Sequence, residues 1–218
     1  MPPAPSVSAA PAPTEVPRQS AAAPGLDCHA SLIEKGIIAE PVAPPPGSEG
    51  ACTIDDPVRL VRVAAEGAQN GAVSFPDAPV VTCRFAEAFG GWVATLATPL
   101  LLGKVGAPLA TIRTGPGFEC RSRNRVEGGK ISAHGVGIAI DIASFELADK
   151  RVLTVKRAEG GANTPAARNE DQALAALRTA ACGWFTTILG PGTDPSHADH
   201  LHLDVMMHGS NERYRICQ

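Results

Sequence analysis

Residues 137–145 (GIAIDIASF) restrict the fold more than any other segment of the chain. Isoleucine recurs at every second position from Ile138, which predicts a β-strand with one apolar face. Asp141 lies between two alanines on the opposite face, although aspartate is disfavoured in the middle of a strand. The small neighbours leave room for a bulky group beside this carboxylate. His134 lies just upstream, where the chain enters the strand through glycines.

A second segment near the C-terminus is rich in histidine: four of the six histidines lie between positions 197 and 208. If the chain is extended from His200, the period of two places His200, His202 and Asp204 on one face and the intervening leucines on the core face. Two imidazoles and one carboxylate form a common ligand set for catalytic zinc, which leaves a fourth position open for water. The two segments together therefore predict a metal site.

A hydrolytic zinc site also needs a general base, because zinc-bound water becomes a nucleophile when it loses a proton. His200 is the natural candidate. It shares a face with His202, yet the two are too close in sequence for both to be required as ligands. Asp199, three residues before His202, is the alternative. His197 begins the H-x-x-H-x-H run and is expected to orient or stabilise the site.

The remaining pattern predicts an α+β domain with a small, mainly antiparallel sheet and flanking helices, because strands and helices mix without regular βαβ alternation. The predicted strands cover residues 58–63, 109–113, 118–123, 137–145, 151–157 and 201–206. The predicted helices cover residues 28–35, 79–98 and 171–189.

Composition divides the chain into two parts. Residues 1–26 are mostly alanine, proline and serine, which predicts a disordered leader before a domain at residues 27–218. The leader lacks the basic and apolar regions of a signal peptide. The net charge of −3, without a lysine or arginine block, argues against a nucleic-acid partner. No stretch approaches the roughly 18 apolar residues of a membrane helix, so no membrane span is expected.

The six cysteines are scattered and include no C-x-x-C pair. This pattern argues against a zinc ribbon and fits up to three disulfides formed in an oxidising compartment. Buried free thiols are the alternative.

The ligand segments resemble known zinc peptidases. Residues 132–141 (SAHGVGIAID) match the S-x-H-x-x-G-x-A-x-D signature of D-alanyl-D-alanine carboxypeptidases of the VanY type. These belong to a superfamily that includes lysostaphin-like peptidases and hedgehog domains. The H-x-x-H-x-H run resembles that of penicillin-insensitive murein endopeptidases. The segments FECRSRN, SAHGVGIAIDIASF and YRICQ resemble the sequence of the bacterial extensin-like C-terminal domain family, and this resemblance covers about residues 28–218.

This resemblance implies a hedgehog or D-Ala-D-Ala peptidase-like fold with one catalytic zinc ion. The implied zinc ligands are His134, Asp141 and His202, with His200 as general base. Arg121 occupies a place comparable to that of a substrate-contacting arginine, which would polarise the scissile carbonyl or hold a carboxylate.

Two further polar residues are candidates for supporting roles around this site. Ser132 is expected to orient His134 or to cap a turn, since no nucleophile-elbow motif surrounds it. Asp204 either supports a ligand from behind or reflects the polar alternation of the strand.

The leading hypothesis is a periplasmic or secreted zinc metallopeptidase that hydrolyses D-amino-acid-containing peptide bonds of peptidoglycan or muropeptides. The alternative is a non-catalytic, zinc-dependent cell-wall-binding module, because hedgehog domains keep a zinc site in a signalling role. A third hypothesis, a carbohydrate-acting enzyme, rests only on the extensin-like label, because the sequence shows no recognisable carboxylate pair for glycoside hydrolysis. The choices between endopeptidase and carboxypeptidase, and between D,D and L,D bonds, stay open.

Overall fold

A mixed, mostly antiparallel sheet organises the chain around the predicted strand that carries Asp141. The computed structural model describes residues 24–156, 164–208 and 214–218. Within these residues the strands are β1 Ile37–Pro41, β2 Pro57–Ala64, β3 Ala72–Ser74, β4 Val80–Thr82, β5 Leu109–Thr114, β6 Ala139–Leu147, β7 Val152–Thr154, β8 Thr187–Leu189, β9 Leu201–Asp204 and β10 Ile216–Cys217.

The strand order is β1-β2-β3-β5-β6-β9-β8-β10, with β4 paired to β2 and β7 paired to β6. Only the β3–β5 and β8–β10 pairings are parallel among these strands. The predicted α+β class with a mainly antiparallel sheet is confirmed. The sheet is larger than predicted, because several of its strands have only two or three residues and are too short to show periodicity.

Three helices accompany the sheet in the described part of the chain: α1 Pro24–Glu34, α2 Cys83–Val105 and α3 Pro165–Ala181. The Thr82 hydroxyl accepts from the backbone N–H of Phe85 and caps α2. A single π turn, Val93–Ala97, interrupts α2, and there Thr98 donates to the carbonyl of Val93 at 2.8 Å.

All three predicted helices have the wrong bounds. The helix predicted at 28–35 is α1, Pro24–Glu34. The helix predicted at 79–98 is α2, Cys83–Val105, which starts later because residues 80–82 pair with β2 as a strand. The helix predicted at 171–189 begins at Pro165 and ends at Ala181. The β-branched run Thr186–Ile188 instead leads into β8, where pairing with β9 and β10 outweighs a continued helix.

The N-terminal predictions are tested only in part. Residues 1–23 of the predicted leader and residue 157, the last of the predicted strand 151–157, lie outside the described residues. Helix α1 begins at Pro24, so the last three residues of the predicted leader are helical. Proline suits this position because the first turn of a helix does not need its N–H.

The core has a main cluster and a separate small one. The main cluster joins the sheet to α2 and α3 and contains the stacked rings of Phe85, Phe89 and Trp92. The small cluster consists of Cys52, Ile54 and Phe118, with Val80 and Ile131 packed against it.

The strand predicted at residues 118–123 is absent: these described residues form only one isolated bridge, from Ser122 to Ile131. Gly117, just before them, has a φ of +79°, which breaks an extended path, and Cys120 is tied by a disulfide.

All six cysteines are paired, as Cys28–Cys83, Cys52–Cys120 and Cys182–Cys217. The prediction of three disulfides is confirmed, and the alternative of buried free thiols is wrong. Three disulfides are compatible with an extracellular or periplasmic location.

Helix α2 is the one described helix whose length and composition would allow it to cross a membrane, with a mean hydropathy of 1.3 over its most apolar window. Half of that window is buried inside the fold, as in the core helix of a globular domain.

Candidate metal centre

Three predicted ligands from three elements meet at one point. His134 lies in a 3₁₀ turn, Ala133–Val136, Asp141 lies in β6 and His202 lies in β9. The register of β6 and β9 pairs Asp141 directly with His202. Asp141 Oδ1 is 2.8 Å from His202 Nδ1 and 3.2 Å from His134 Nε2, and the two nitrogens are 3.1 Å apart.

The outer nitrogens of both histidines are held so that the inner nitrogens can offer lone pairs. His134 Nδ1 is 2.6 Å from the carbonyl oxygen of Gly117, which can only accept, so the proton of a neutral His134 is on Nδ1. His202 Nε2 is 3.0 Å from Asp204 Oδ2 and donates to it. Such partners fix the tautomer and ring orientation of metal-binding histidines. Two nitrogens and one carboxylate oxygen therefore converge.

The spacing fits a small tetrahedral cation. Ligand atoms about 2.0–2.1 Å from a tetrahedral zinc ion are about 3.3 Å from one another. The distances between the three inner atoms are 2.8–3.2 Å, and all three atoms can bind one ion. Two occupants satisfy this arrangement: a proton on His202 Nδ1, shared with its neighbours, or a metal cation.

The electrostatics of the cluster also favour positive charge. Burial opposes ionisation of Asp141, but hydrogen bonds and attraction from His134 and His202 hold its pKa well below the usual range. Burial likewise opposes protonation of His202, but its bonds to Asp141 and Asp204 raise its pKa to about 9. The buried carboxylates therefore stabilise one added positive charge between them.

His200 lies immediately before β9 rather than in it, and it faces the cluster. Its Nε2 is 3.5 Å from Asp141 Oδ1, the inner ligand oxygen. Its Nδ1 is 2.9 Å from Asp199 Oδ1, and the Asp199 side chain is 64% exposed. The two base candidates therefore form a pair, in which Asp199 holds the outer nitrogen of His200 and leaves the inner nitrogen toward the ligands.

His197 lies at the edge of the cluster, beside His200 and His202. It ends the 3₁₀ turn Pro195–His197, and its ring centroid is 5.3 Å from that of His200 and 5.6 Å from that of His202. Its Nδ1 donates to Asp194 at 2.8 Å. Burial lowers the pKa of His197, although the bond to Asp194 opposes that shift.

Two further predicted residues support the ligands. Asp204 is buried and accepts from His202 and from the backbone N–H of Met206 at 2.9 Å. The Ser132 hydroxyl accepts from the backbone N–H of His134 at 3.4 Å and caps the turn.

Arg121 lies beside the ligand segment with its guanidinium engaged elsewhere. Its Nε donates to Glu119 at 2.8 Å, and Arg125 occupies the other oxygen of that carboxylate. The backbone N–H of Glu119 donates to the carbonyl of His134 at 3.3 Å. Among the described residues, the ion pair of Arg121 is therefore with Glu119 and not with the three ligands.

Sequence reasoning missed three contributors to this site: Gly117, Glu119 and Asp194. Only Asp194 has a readable signal, since an aspartate directly before P-S-H suits the cap of a short helical turn. Gly117 acts through its carbonyl and Glu119 through its backbone N–H to His134, and side-chain patterns do not reveal such contacts.

Comparison with known protein families assigns the chain to a family. Residues 26–218 match the family described as extensin-like protein C-terminus. The chain therefore belongs to the extensin-like C-terminal family. Searches of curated proteins and of solved structures give no significant match.

Proposed function

We propose that this protein is a zinc metallopeptidase that hydrolyses D-amino-acid-containing peptide bonds of peptidoglycan. The observation that carries the proposal is the convergence of His134, Asp141 and His202, with inner atoms 2.8–3.2 Å apart. The resemblance of residues 132–141 to the carboxypeptidase signature supports the reaction and a hedgehog or D-Ala-D-Ala peptidase-like fold.

Zinc is the metal that suits the site best. Two imidazole nitrogens and one carboxylate are typical ligands of catalytic zinc and leave a position open. When bound, zinc would polarise a carbonyl and lower the pKa of water. The protein holds the ligands from behind through the Gly117 carbonyl and the Asp204 carboxylate.

His200 is the proposed proton carrier. Its Nδ1–H donates to Asp199, so Nε2 keeps a lone pair on the side of the ligand cluster. Nε2 accepts a proton from the attacking water and returns it to the amide nitrogen that leaves. Asp199 fixes the tautomer, in the way that a carboxylate orients the base of a catalytic triad.

Arg121 is the proposed contact for a substrate carbonyl or carboxylate. It is 19% exposed in its side chain and pairs with Glu119. Substrate contact therefore requires the guanidinium to exchange or share this partner. A periplasmic or secreted location, which the three disulfides fit, would place the site beside its polymer substrate.

The test compares the wild-type protein with three single variants, His202→Ala, His200→Ala and His29→Ala. Metal content is measured by mass spectrometry, and purified muropeptides are digested with and without a chelator. We expect His202→Ala to lose zinc and activity. We expect His200→Ala to keep zinc while turnover falls by roughly 10²–10⁴-fold. His29, which pairs with Asp56, is the matched control and should leave both unchanged.

Cleavage retained by His200→Ala would refute the role of that residue. Product masses on defined muropeptides would also distinguish endopeptidase from carboxypeptidase action and D,D from L,D bonds.

A zinc-dependent cell-wall-binding module is the second candidate. The ion pair of Arg121 with Glu119 favours it, because an arginine that is neutralised by a carboxylate is poorly placed to stabilise a developing oxyanion. Zinc content with chelator-sensitive binding to peptidoglycan, and no change in muropeptides, would support this function instead.

A further inference from the structure

The ligand His134 depends on a different part of the fold from the other two. Asp141 and His202 lie on paired strands of the central sheet, β6 and β9. Two of the contacts that hold His134, including the one to its imidazole, come from the segment 117–120. The Gly117 carbonyl accepts from His134 Nδ1 at 2.6 Å, and the Glu119 backbone N–H donates to the His134 carbonyl at 3.3 Å. A shift of this segment would therefore move one ligand of three.

The segment 117–120 has little secondary structure to hold it. Gly117 forms an isolated bridge with Val80, and Phe118 donates a backbone hydrogen bond to Val80 at 2.7 Å, but the chain forms no strand there. It packs instead in the small cluster around Cys52, Ile54 and Phe118, which is separate from the main core. The disulfide Cys52–Cys120 is the covalent link between the two sides of this cluster.

The same disulfide also supports the His134 turn from below. A Cβ atom added to Gly135, the residue after His134, would lie 3.2 Å from Cys52 Sγ and 2.7 Å from Ile131. The turn therefore rests closely on the sulfur of Cys52. The disulfide contacts the ligand turn on one side and ends the segment that holds the imidazole on the other.

We propose that the Cys52–Cys120 disulfide is a positioning element of the metal centre, so that the redox state of this pair sets the affinity for zinc. The inference rests on the metal-binding part of the proposed function. Reduction by a dithiol transfers two electrons and two protons to Cys52 and Cys120, which become thiols, while the dithiol becomes a disulfide. His134 then loses its fixed position, while Asp141 and His202 stay paired.

The test removes this disulfide by the double substitution Cys52→Ala and Cys120→Ala. Alanine is chosen because it leaves no thiol to bind the metal. The matched control is Cys28→Ala with Cys83→Ala: this bond spans 55 residues against 68, so both losses relax the unfolded chain to a similar extent. Cys28 and Cys83 lie in the main core. Zinc affinity is measured by competition with a chromogenic chelator, alongside thermal unfolding of the metal-free proteins.

We expect the Cys52/Cys120 variant to bind zinc roughly 10- to 100-fold more weakly, the range seen when a partner behind a ligand is removed. The zinc affinity of the control variant should stay within about twofold of the wild-type affinity. Equal affinities of wild type and the Cys52/Cys120 variant, or an equal loss in the control, would overturn the proposal. A wild-type protein that binds no zinc would overturn it together with the proposed function. Disulfide-dependent zinc binding without muropeptide cleavage would uphold this inference and refute only the peptidase reaction.

A second variant decides the question if the double variant does not fold. Gly135→Ala keeps the disulfide and presses the turn away from both Ile131 and Cys52. We expect weaker zinc binding with all disulfides intact by mass. Gly103→Ala is its control, because a Cβ there meets no atom within 4 Å. Unchanged affinity of Gly135→Ala would overturn the proposal.

Discussion

Asp204→Asn is an isosteric change that isolates the support behind one ligand. Asp204 Oδ2 accepts from His202 Nε2, while Oδ1 accepts from the Met206 N–H. An asparagine has one oxygen and one NH₂ group for these two donors. If the NH₂ replaces Oδ2, it meets the N–H of His202. If the amide is flipped, the NH₂ meets the N–H of Met206 instead.

The first orientation harms the metal site directly. The imidazole can relieve the conflict only by moving its proton to Nδ1, which is the atom that faces Asp141 and His134. Loss of a hydrogen bond to a charged group is worth about 1.5–3 kcal/mol, or roughly 10- to 150-fold in a binding constant. We therefore expect Asp204→Asn to bind zinc about 10- to 100-fold more weakly, in line with other substitutions behind metal ligands.

The assay is competition with a chelator of known zinc affinity at constant pH. Glu87→Gln is the control, since Glu87 is a half-buried carboxylate on α2 that binds Ser31 and Lys35 away from the metal centre. That change should lower stability and leave zinc affinity unchanged. Wild-type zinc affinity together with wild-type stability in Asp204→Asn would refute the reasoning, because a flipped amide that spares His202 must lose the bond to Met206.

Three further perturbations follow. Because the pKa of His202 is raised to about 9, protonation of this ring stabilises the metal-free fold. That stabilisation is complete below about pH 6.5, the ordinary pKa of histidine, and is lost as the pH rises through 9. Zinc must displace that proton, so chelator competition at pH 7, 8 and 9 should show affinity rising roughly tenfold per unit; a flat profile would contradict this. Zinc at about 100 times its Kd should raise Tm by roughly 5–10 °C, and a chelator should abolish the shift, as calorimetry can check. Gly117 has a φ of +79°, and a Cβ there would lie only 2.4 Å from the Val80 oxygen. Gly117→Ala should therefore lower the free energy of unfolding in urea by more than about 1 kcal/mol and weaken zinc binding. Unchanged values of both would contradict this prediction.

The convergence of the ligands could be predicted because it depends on strand periodicity. Alternation in β6 and β9 places Asp141 and His202 on corresponding faces, and antiparallel pairing then makes them neighbours. The long strands β2, β5 and β6 were found for the same reason. The sequence predicts the end of a helix where the short strand β8 lies, because the pairing with β9 and β10 that defines this strand leaves no periodic pattern in its own residues.

The residues behind the ligands could not be predicted for a physical reason. Gly117 contributes a carbonyl group, which every residue has, and its position depends on a positive φ and on close contact with Val80. The pairing of Cys52 with Cys120 is one of many that six cysteines allow. Such features become visible only when the whole chain has folded around them.

The relation between His200 and Asp199 changed most between sequence and structure. From the sequence they were alternatives for one role, since each lies close to His202. The structure places the carboxylate on the outer nitrogen of the imidazole and the inner nitrogen 3.5 Å from Asp141 Oδ1. A carboxylate in that place fixes the tautomer and orientation of the ring that it holds. Removal of the Asp199 carboxylate should therefore weaken proton transfer by His200 and leave the ligand set intact.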